Sequence, residues 1–259
     1  MKELNAIFTI AARDFIKLLR DRPRIIISLI FPIIFLGGLG GGLQANLGDE
    51  VGFNFLTFIF TGIFAQVLFQ STASGIISLV EDRNNDFSQE IFVSPISRYS
   101  IVIGKILGET LVSYVQLIGV IAFAYIMGVQ MSIFQLLAII PAGLVACLLG
   151  GSFGVLVLAN LSNQRSANQI FPFLIFPQFF LSGIFNPIHE LPLPLYILSR
   201  ISPMTYAVDF IRNIFYLGTP EYSKVVLYPL HIDILIIGAM LFVMLFIGTW
   251  LFVKNERNR

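Results

Sequence analysis

Six long apolar runs dominate this sequence of 259 residues and limit what it can fold into. A helix of about 18 or more apolar residues is long enough to cross the hydrocarbon core of a bilayer. Only 12% of the residues are charged, which is too few to cover the surface of a soluble globule of this length. We therefore predict an all-α membrane protein with six transmembrane helices. The runs cover residues 25–43, 53–80, 101–127, 133–160, 169–185 and 231–253.

The distribution of Lys and Arg predicts the orientation, because these residues are retained on the cytoplasmic side of a membrane. Of the 16 Lys and Arg residues, 13 fall on the side that holds both termini, whereas Arg200, Arg212 and Lys224 fall on the other side. We expect a multi-pass protein of the cell (plasma or inner) membrane with both termini cytoplasmic. The predicted organisation is a cytoplasmic interface helix over 1–24, a transmembrane domain over 25–253 and a cytoplasmic tail over 254–259.

The first twenty residues place apolar side chains at helical spacing, with basic residues mostly elsewhere around the helix. This pattern predicts an amphipathic helix that lies on the membrane surface. A secretory signal peptide is the alternative, but the charged start is too long for it and the following apolar run is of spanning length.

One cytoplasmic segment, residues 81–98, is dense in charge within an otherwise apolar chain. A short helix ending before Pro95 would expose Phe87, Ile91 and Phe92 on a projection suited to docking a partner. A solvated loop on the lipid headgroups is the alternative. The candidate contact residues are Glu81, Asp82, Arg83, Phe87, Gln89, Glu90, Phe92, Ser94, Pro95 and Arg98.

A second unusual region follows the fifth run, where the outer loop 186–230 holds two amphipathic pieces too short to span. We interpret them as re-entrant or interfacial helices that cover the exit of a pore. Asp209 and Arg212 are three residues apart and could pair across one helical turn. The candidate exit residues are Leu181, Ser182, Gly183, Pro187, Pro192, Pro203, Tyr206, Asp209 and Arg212.

The sequence offers little support for chemistry of its own. Gly104-Lys105 lacks the earlier glycine of a phosphate-binding loop, so we expect no nucleotide site. His189 and His231 could ligate zinc with a neighbouring carboxylate, but their spacing does not place two strong ligands on one helical face. We expect no metal site, no catalytic residue and no enzymatic activity; a lipid-hydrolysing enzyme is the weakest alternative, since the apolar runs hold no paired set of carboxylates.

These two regions resemble the ABC transporter type 2 permease family, in particular its drug-resistance and nodulation-factor exporter branch. The C-terminal resemblance runs through Leu181-Ser182-Gly183, Leu191-Pro192, the stretch from Ser202-Pro203 to Asp209, and Arg212. The segment 81–98 is similar to the coupling helix of that family, although Asp86-Phe87-Ser88 stands where many members have Gly-Thr.

The resemblance implies a mechanism and its partners. Two six-span permease subunits, identical or closely paralogous, would pair with two ABC ATPase subunits, and ATP with its magnesium would bind in those ATPases rather than in this chain. Closure of the ATPases would push on 81–98 and open a multidrug-type export route between the permeases. The expected cargo is a lipophilic or amphiphilic compound, and the near-neutral net charge of +1 speaks against a nucleic-acid partner.

The substrate pathway is the least constrained prediction. Its candidates are aromatic residues on spans two and five, although core packing explains a single phenylalanine equally well. They are Phe58, Phe64, Phe176, Phe179 and Phe180. A lipid-linked glycan exporter of the same family stays open as an alternative, and so does an ion-driven carrier built on Glu109, for which Lys105 offers a helical partner.

Overall fold

The helices of this protein follow from its apolar runs. The computed structural model describes residues 2–47, 52–78, 96–158, 161 and 164–257. Within that part of the chain all regular structure is helical. Five helical segments are long and apolar enough to cross a membrane, which confirms the all-α membrane fold. They cover Ile25–Asn46, Phe55–Gly75, Tyr99–Ile126, Ile133–Leu158 and Tyr222–Leu251.

Residues 2–47 form the amphipathic helix and the first span. Helix α1 covers Lys2–Arg20. The first span combines α2 (Arg22–Ile34), a π-helical stretch (Phe35–Gly40) and α3 (Gly41–Leu47). The wider turn coincides with a run of glycines, which have low helix propensity and tolerate a local departure from α geometry.

The central spans begin after polar N-cap residues. Helix α4 (Phe55–Gly75) starts after Asn54, whose side chain accepts a hydrogen bond from the Thr57 N–H. Helix α5 covers Arg98–Ile126 and α6 covers Ile133–Leu158. At the start of α6, Ser132 and Gln135 exchange backbone-to-side-chain hydrogen bonds of 2.8 and 3.1 Å, which is a capping box.

The predicted span 169–185 is the helix α7, Gln164–Leu181, which begins and ends earlier than the sequence indicated. It is 18 residues long, but it is not among the five segments that are both long and apolar enough to cross a membrane. The six-span count is compatible with the structure if this helix forms the remaining span. The helix stops where Gly183 takes φ +79°, a backbone conformation that glycine adopts without strain.

Between α7 and the last span lies a segment that we name the cap, residues 182–229. It contains α8 (Leu193–Ile201), α9 (Pro203–Phe215) and the single turn α10 (Tyr222–Val225). The two short helices predicted around Ser202-Pro203 are therefore confirmed. The chain then enters α11, Leu230–Arg257.

Helix α4 lies at the centre of the bundle. It packs against α5, α6 and α9, and 94% of the residues in its most apolar 18-residue stretch are buried. Close approach between α4 and α6 depends on two glycines of α6: a Cβ at Gly150 would overlap the carbonyl of Phe69, and one at Gly154 would lie 2.6 Å from the carbonyl oxygen of Ala73. Small residues at helix contacts are the usual means of tight packing between spans.

Candidate functional site

A cavity of about 440 Å³ lies between α2, α4, α5 and α7. It runs from the middle of the bundle towards the end that carries α1, because its lining follows α4 from Gln66 to Ser74 and includes Ile77 just beyond the end of that helix. The lining helices α2 and α7 also border its mouth, where Ile27 and Phe176 are 65% and 54% exposed. A volume of several hundred Å³ is typical of sites for small organic ligands.

Neutral polar side chains form part of the lining of this cavity. Gln66 and Gln70 on α4 face it, and the Gln66 amide donates a hydrogen bond to the Gln70 amide oxygen. Gln116 reaches it from α5 and Asn168 from α7. Gln66 and Gln116 stand near the middle of their spans, at depths where a polar side chain is costly unless it has a partner or a function.

Phenylalanine rings form another part of the lining. Phe31 of α2 and Phe179 of α7 have ring centroids 5.3 Å apart, and Phe176 lies 6.0 Å from Phe179. The ring contacts continue away from the lining residues through Phe35, Phe180 and Phe185. We name these six residues the aromatic cluster; it lies where the cavity ends, on the side of the turn that leads into the cap.

The predicted pathway residues separate into two groups. Phe176 and Phe179 line the cavity, and Phe180 belongs to the aromatic cluster. Phe58 and Phe64 are fully buried core residues on α4 and lie outside the cavity lining. A transport role for any of the five stays a prediction. The sequence interpretation missed Phe31, Phe35, Gln66, Gln70 and Gln116; the amides could have been found as polar residues in the middle of apolar runs.

The cap brings most of the predicted exit residues together. Leu181 ends α7, Ser182 is fully buried, Pro187 and Pro192 flank a short 3₁₀ turn, and Pro203 begins α9. The Ser202 hydroxyl donates to the Gln178 side chain at 3.0 Å. The Tyr206 hydroxyl donates to the carbonyl of Arg200 at 2.8 Å, which fixes α9 against α8.

Asp209 and Arg212 do not pair across the helical turn as the sequence suggested. The Asp209 carboxylate accepts from the backbone N–H groups of Leu227 and Tyr228 at 2.7 and 2.9 Å. Arg212 turns the other way and donates to the carbonyls of Phe58 and Ile184 at 3.2 and 3.5 Å. Leu227, Tyr228 and Ile184 lie outside regular helices, so their backbone groups can pair with the buried charges. The Phe58 carbonyl lies within α4 and also accepts from the Thr61 hydroxyl.

Arg212 is the centre of this arrangement. Its guanidinium also stacks on the Phe58 ring, 3.6 Å from the ring centroid, and its Nε lies 3.4 Å from the Thr61 hydroxyl. Its side chain is 3% exposed. The contacts join α9, α4 and the turn after α7, so a charged residue that sequence alone assigned to an exit gate connects the cap to the core.

At the opposite end, α1 packs on the start of α5. Lys105 and Asp14 form an ion pair of 2.7 Å with both side chains almost fully buried. A Cβ at Gly104 or Gly108 would come within 3.0–3.1 Å of the α1 backbone, so these glycines permit the contact. Lys105, which the sequence suggested as a partner of Glu109, thus binds a carboxylate of α1.

The predicted contact residues of 81–98 lie outside the described residues, apart from Arg98, which begins α5. Those outside are Glu81, Asp82, Arg83, Phe87, Gln89, Glu90, Phe92, Ser94 and Pro95. Ser97, near the end of this segment, is the N-cap residue of α5, and its N–H donates to the Glu3 carboxylate at 3.1 Å. The segment therefore joins α5 where the N-terminus of α1 is attached.

Similarity to known proteins decides the family. The sequence model of the ABC-2 type transporter family matches residues 5–216, which is most of the chain. The chain belongs to the ABC-2 type transporter family. It is 25% identical over 220 residues to a protein of Cyanophora paradoxa named as transport permease ycf38, covering 82% of this chain and 74% of that protein.

A second relative is Nodulation protein J of Rhizobium meliloti (strain 1021), 27% identical over 195 residues, with 74% of each chain covered. The family model and the two relatives together identify this ABC-2 chain as a multi-pass membrane transport permease, a transmembrane component rather than a catalytic domain. The family match covers the central spans, the cavity and most of the cap.

Proposed function

We propose that this chain is the permease subunit of an ATP-driven exporter in the cell membrane, with both termini cytoplasmic. The observation that carries the proposal is the cavity between α2, α4 and α7 in a chain of the ABC-2 type transporter family. With the orientation given by the Lys and Arg distribution, the cavity lies in the cytoplasmic half of the bundle. A lipophilic or amphiphilic compound would enter it from the cytoplasm or the inner leaflet.

The proposed partners are two ABC ATPase subunits and a second permease copy, identical or closely paralogous. ATP and magnesium would bind in the ATPases, and this chain would hold no cofactor. The segment 81–98 would receive the ATPase contact. Its position supports this role, because it enters α5 beside the contact between Glu3 and Ser97 and so connects to both α1 and a lining helix of the cavity.

In this mechanism the permease exchanges two conformations, and the ATPase shifts the balance between them. The aromatic cluster would close the route between the cavity and the cap while the cavity faces the cytoplasm. Movement of α2 relative to α7 would separate Phe31 from Phe179, since these two rings join the helices there. The cap would stay attached to α4 through Arg212 and form the outer end of the route.

The test is capture of an ABC ATPase from the source cell by the intact chain. The first variant carries Glu90→Ala with Phe92→Ala in 81–98. The matched control carries Glu190→Ala with Leu193→Ala, which removes the same kinds of side chain from exposed positions of the cap. We expect the intact chain and the control to retain an ABC ATPase, identified by mass, and the first variant to lose it.

Failure of the intact chain to retain any ATPase would contradict the proposal and favour an ion-driven carrier. Equal retention by all three forms would contradict the assignment of 81–98 as the contact. A lipid-linked glycan exporter is a finer alternative within the same mechanism, and substrate binding rather than ATPase capture separates it from a drug exporter.

A further inference from the structure

We infer that the cavity binds a neutral amphiphile whose head carries hydroxyl or amide groups, and that Gln66, Gln70 and Gln116 bind that head. This inference rests on the proposed function, since it names the substrate class of the same cavity. It is carried by the charge, the hydrogen-bonding capacity and the accessibility of the lining residues.

The described lining of the cavity carries no charged side chain. Every described residue that lines the cavity is apolar or neutral and polar; Asp, Glu, Lys, Arg and His are missing from the lining. A charged group brought into such a site, at the depth of the hydrocarbon core, would lose its hydration without gaining a counter-charge. The lining therefore disfavours a cationic or anionic head.

Three glutamine side chains provide hydrogen-bonding groups in the cavity. A glutamine amide both donates and accepts, and so do hydroxyl and amide groups of a ligand. Gln116 makes no hydrogen bond with any residue that the structure describes, and Gln70 accepts one from Gln66. An apolar occupant, such as a lipid tail or an apolar face of a second permease copy, would leave these amides unpaired in a dry environment, which is costly.

Most of the remaining lining is apolar. Phe171, Phe176, Phe179 and the prolines Pro32 and Pro172, on α2 and α7, line the cavity together with the amides. Flat rings and prolines suit an acyl chain or the apolar face of a sugar ring. With the mouth bordered by the exposed residues Ile27 and Phe176, an amphiphile could enter sideways from the bilayer with its tail in lipid and its head at the glutamines.

The experiment uses cysteine labelling in the purified permease in lipid nanodiscs, where neither ATP nor an ATPase is needed. Cys147 is the single native cysteine and is buried, so the unmodified chain gives the background. Ser74→Cys is the reporter because Ser74 lines the cavity, is partly accessible and differs from cysteine by one atom. Leu111→Cys on α5, 46% exposed and outside the lining, is the matched control.

The rate of alkylation by N-ethylmaleimide is measured with octyl glucoside, octyl sulfate or octyltrimethylammonium below their micelle concentrations. We expect octyl glucoside at about ten times its Kd to slow labelling of Ser74→Cys about tenfold, as mass action requires for occlusion by a bound ligand. The two charged amphiphiles should leave the rate unchanged, and Leu111→Cys should respond to none of the three.

Equal protection by a charged amphiphile, or no protection by the glucoside, would overturn the inference. A second variant adds Gln116→Leu to the reporter, which conserves size and removes the amide. We expect the Kd for the glucoside to rise about tenfold, the factor for one lost neutral hydrogen bond. Unchanged protection, with Cys147 still unreactive, would also overturn it, because the amide would then play no part.

The outcomes separate this inference from the proposed function. Capture of an ABC ATPase without protection by the glucoside would reject the substrate class and leave the exporter standing. Protection by the glucoside without capture of an ATPase would reject the ATP-driven mechanism and leave the binding site standing.

Discussion

The cap and helix α1 both lie outside the spans and both use buried charges, yet they are attached in different ways. In the cap, Arg212 and Asp209 bind backbone groups of several segments, so the charges hold loops whose positions are fixed by the bundle. Helix α1 packs mainly on α5, through the Lys105–Asp14 ion pair, the contacts at Gly104 and Gly108 and the hydrogen bond from the Ser97 N–H to Glu3. The cap is therefore joined to several parts of the core, whereas the attachment of α1 depends mainly on α5.

The largest expected effect is that of Arg212→Ala. It removes the bonds to the carbonyls of Phe58 and Ile184 and the stacking on Phe58, and it leaves a cavity in place of a large buried side chain. We therefore expect a loss of about 4 kcal/mol in the free energy of unfolding. Heating in the presence of a thiol-reactive fluorophore measures this loss, because Cys147 is buried and reacts only when the bundle opens.

Arg200→Ala is the control for Arg212. Arg200 is partly exposed and stacks on Tyr196 and Tyr228, so its removal should cost about 1 kcal/mol or less. Equal losses for Arg200→Ala and Arg212→Ala would contradict the view that Arg212 joins the cap to the core.

The ion pair of α1 should behave differently from Arg212. Asp14→Asn removes the carboxylate beside buried Lys105, and the attachment of α1 should weaken by about 3 kcal/mol. Hydrogen exchange should show reduced protection across Lys2–Arg20, while the unfolding midpoint reported by Cys147 changes little. A large fall in that midpoint would show that α1 is as much a part of the core as the cap.

A double variant sharpens this result. Asp14→Leu with Lys105→Met replaces the two charges by apolar side chains of similar size, and such replacements of buried pairs are often neutral. We expect protection of α1 to recover to within about 1 kcal/mol of the unmodified chain. Failure to recover would mean that the charges do more than hold α1 to α5.

The glycine contact gives a smaller effect. At Gly108 a Cβ would lie 3.1 Å from the Ala11 Cα and from the Asp14 Cβ. Gly108→Ala should therefore push α1 away from α5 and lower its exchange protection by about 1 kcal/mol. Gly238→Ala on α11 meets nothing within 4 Å and should stabilise its helix by up to about 1 kcal/mol. The two variants must differ in sign for the close contact to matter.

The smallest effect concerns pH at the tip of α1. Hydrogen bonds from the Ser100 side chain and the Ser97 N–H hold the pKa of Glu3 below its ordinary value of 4.5. A carboxyl with a lowered folded-state pKa stabilises above its ordinary pKa, and the stabilisation is lost as the pH falls through the lowered value. Exchange protection of the first turn of α1 should therefore fall in that acidic window, and Glu3→Gln should abolish this pH dependence.

Much of the fold could be predicted because its cause is local. An apolar run of spanning length must form a helix in lipid, and the two short helices of the cap follow from Ser202-Pro203, which interrupts them. The end of α7 was missed because residues 182–185 are apolar enough to continue a span, and only the turn at Gly183 ends it.

The site was less accessible to sequence analysis. Its phenylalanines come from helices far apart in the chain, and 26 phenylalanines give the sequence no means of separating Phe179 in the cavity from Phe58 in the core. The partners of Arg212 are also long-range: Phe58 lies on α4, 154 residues away. Pairing with Asp209, three residues away, was the only contact that spacing could suggest.

The most direct test of the account asks whether ATP changes the cavity through the α1 end of the molecule. In membrane vesicles from the source cell that carry the Ser74→Cys permease, the alkylation rate of Cys at position 74 is measured with and without ATP and magnesium, and again with Glu90→Ala and Phe92→Ala added. We predict that ATP changes the alkylation rate and that the added substitutions abolish this change. An alkylation rate that ATP leaves unaltered, in vesicles where the permease retains its ATPase, would contradict it.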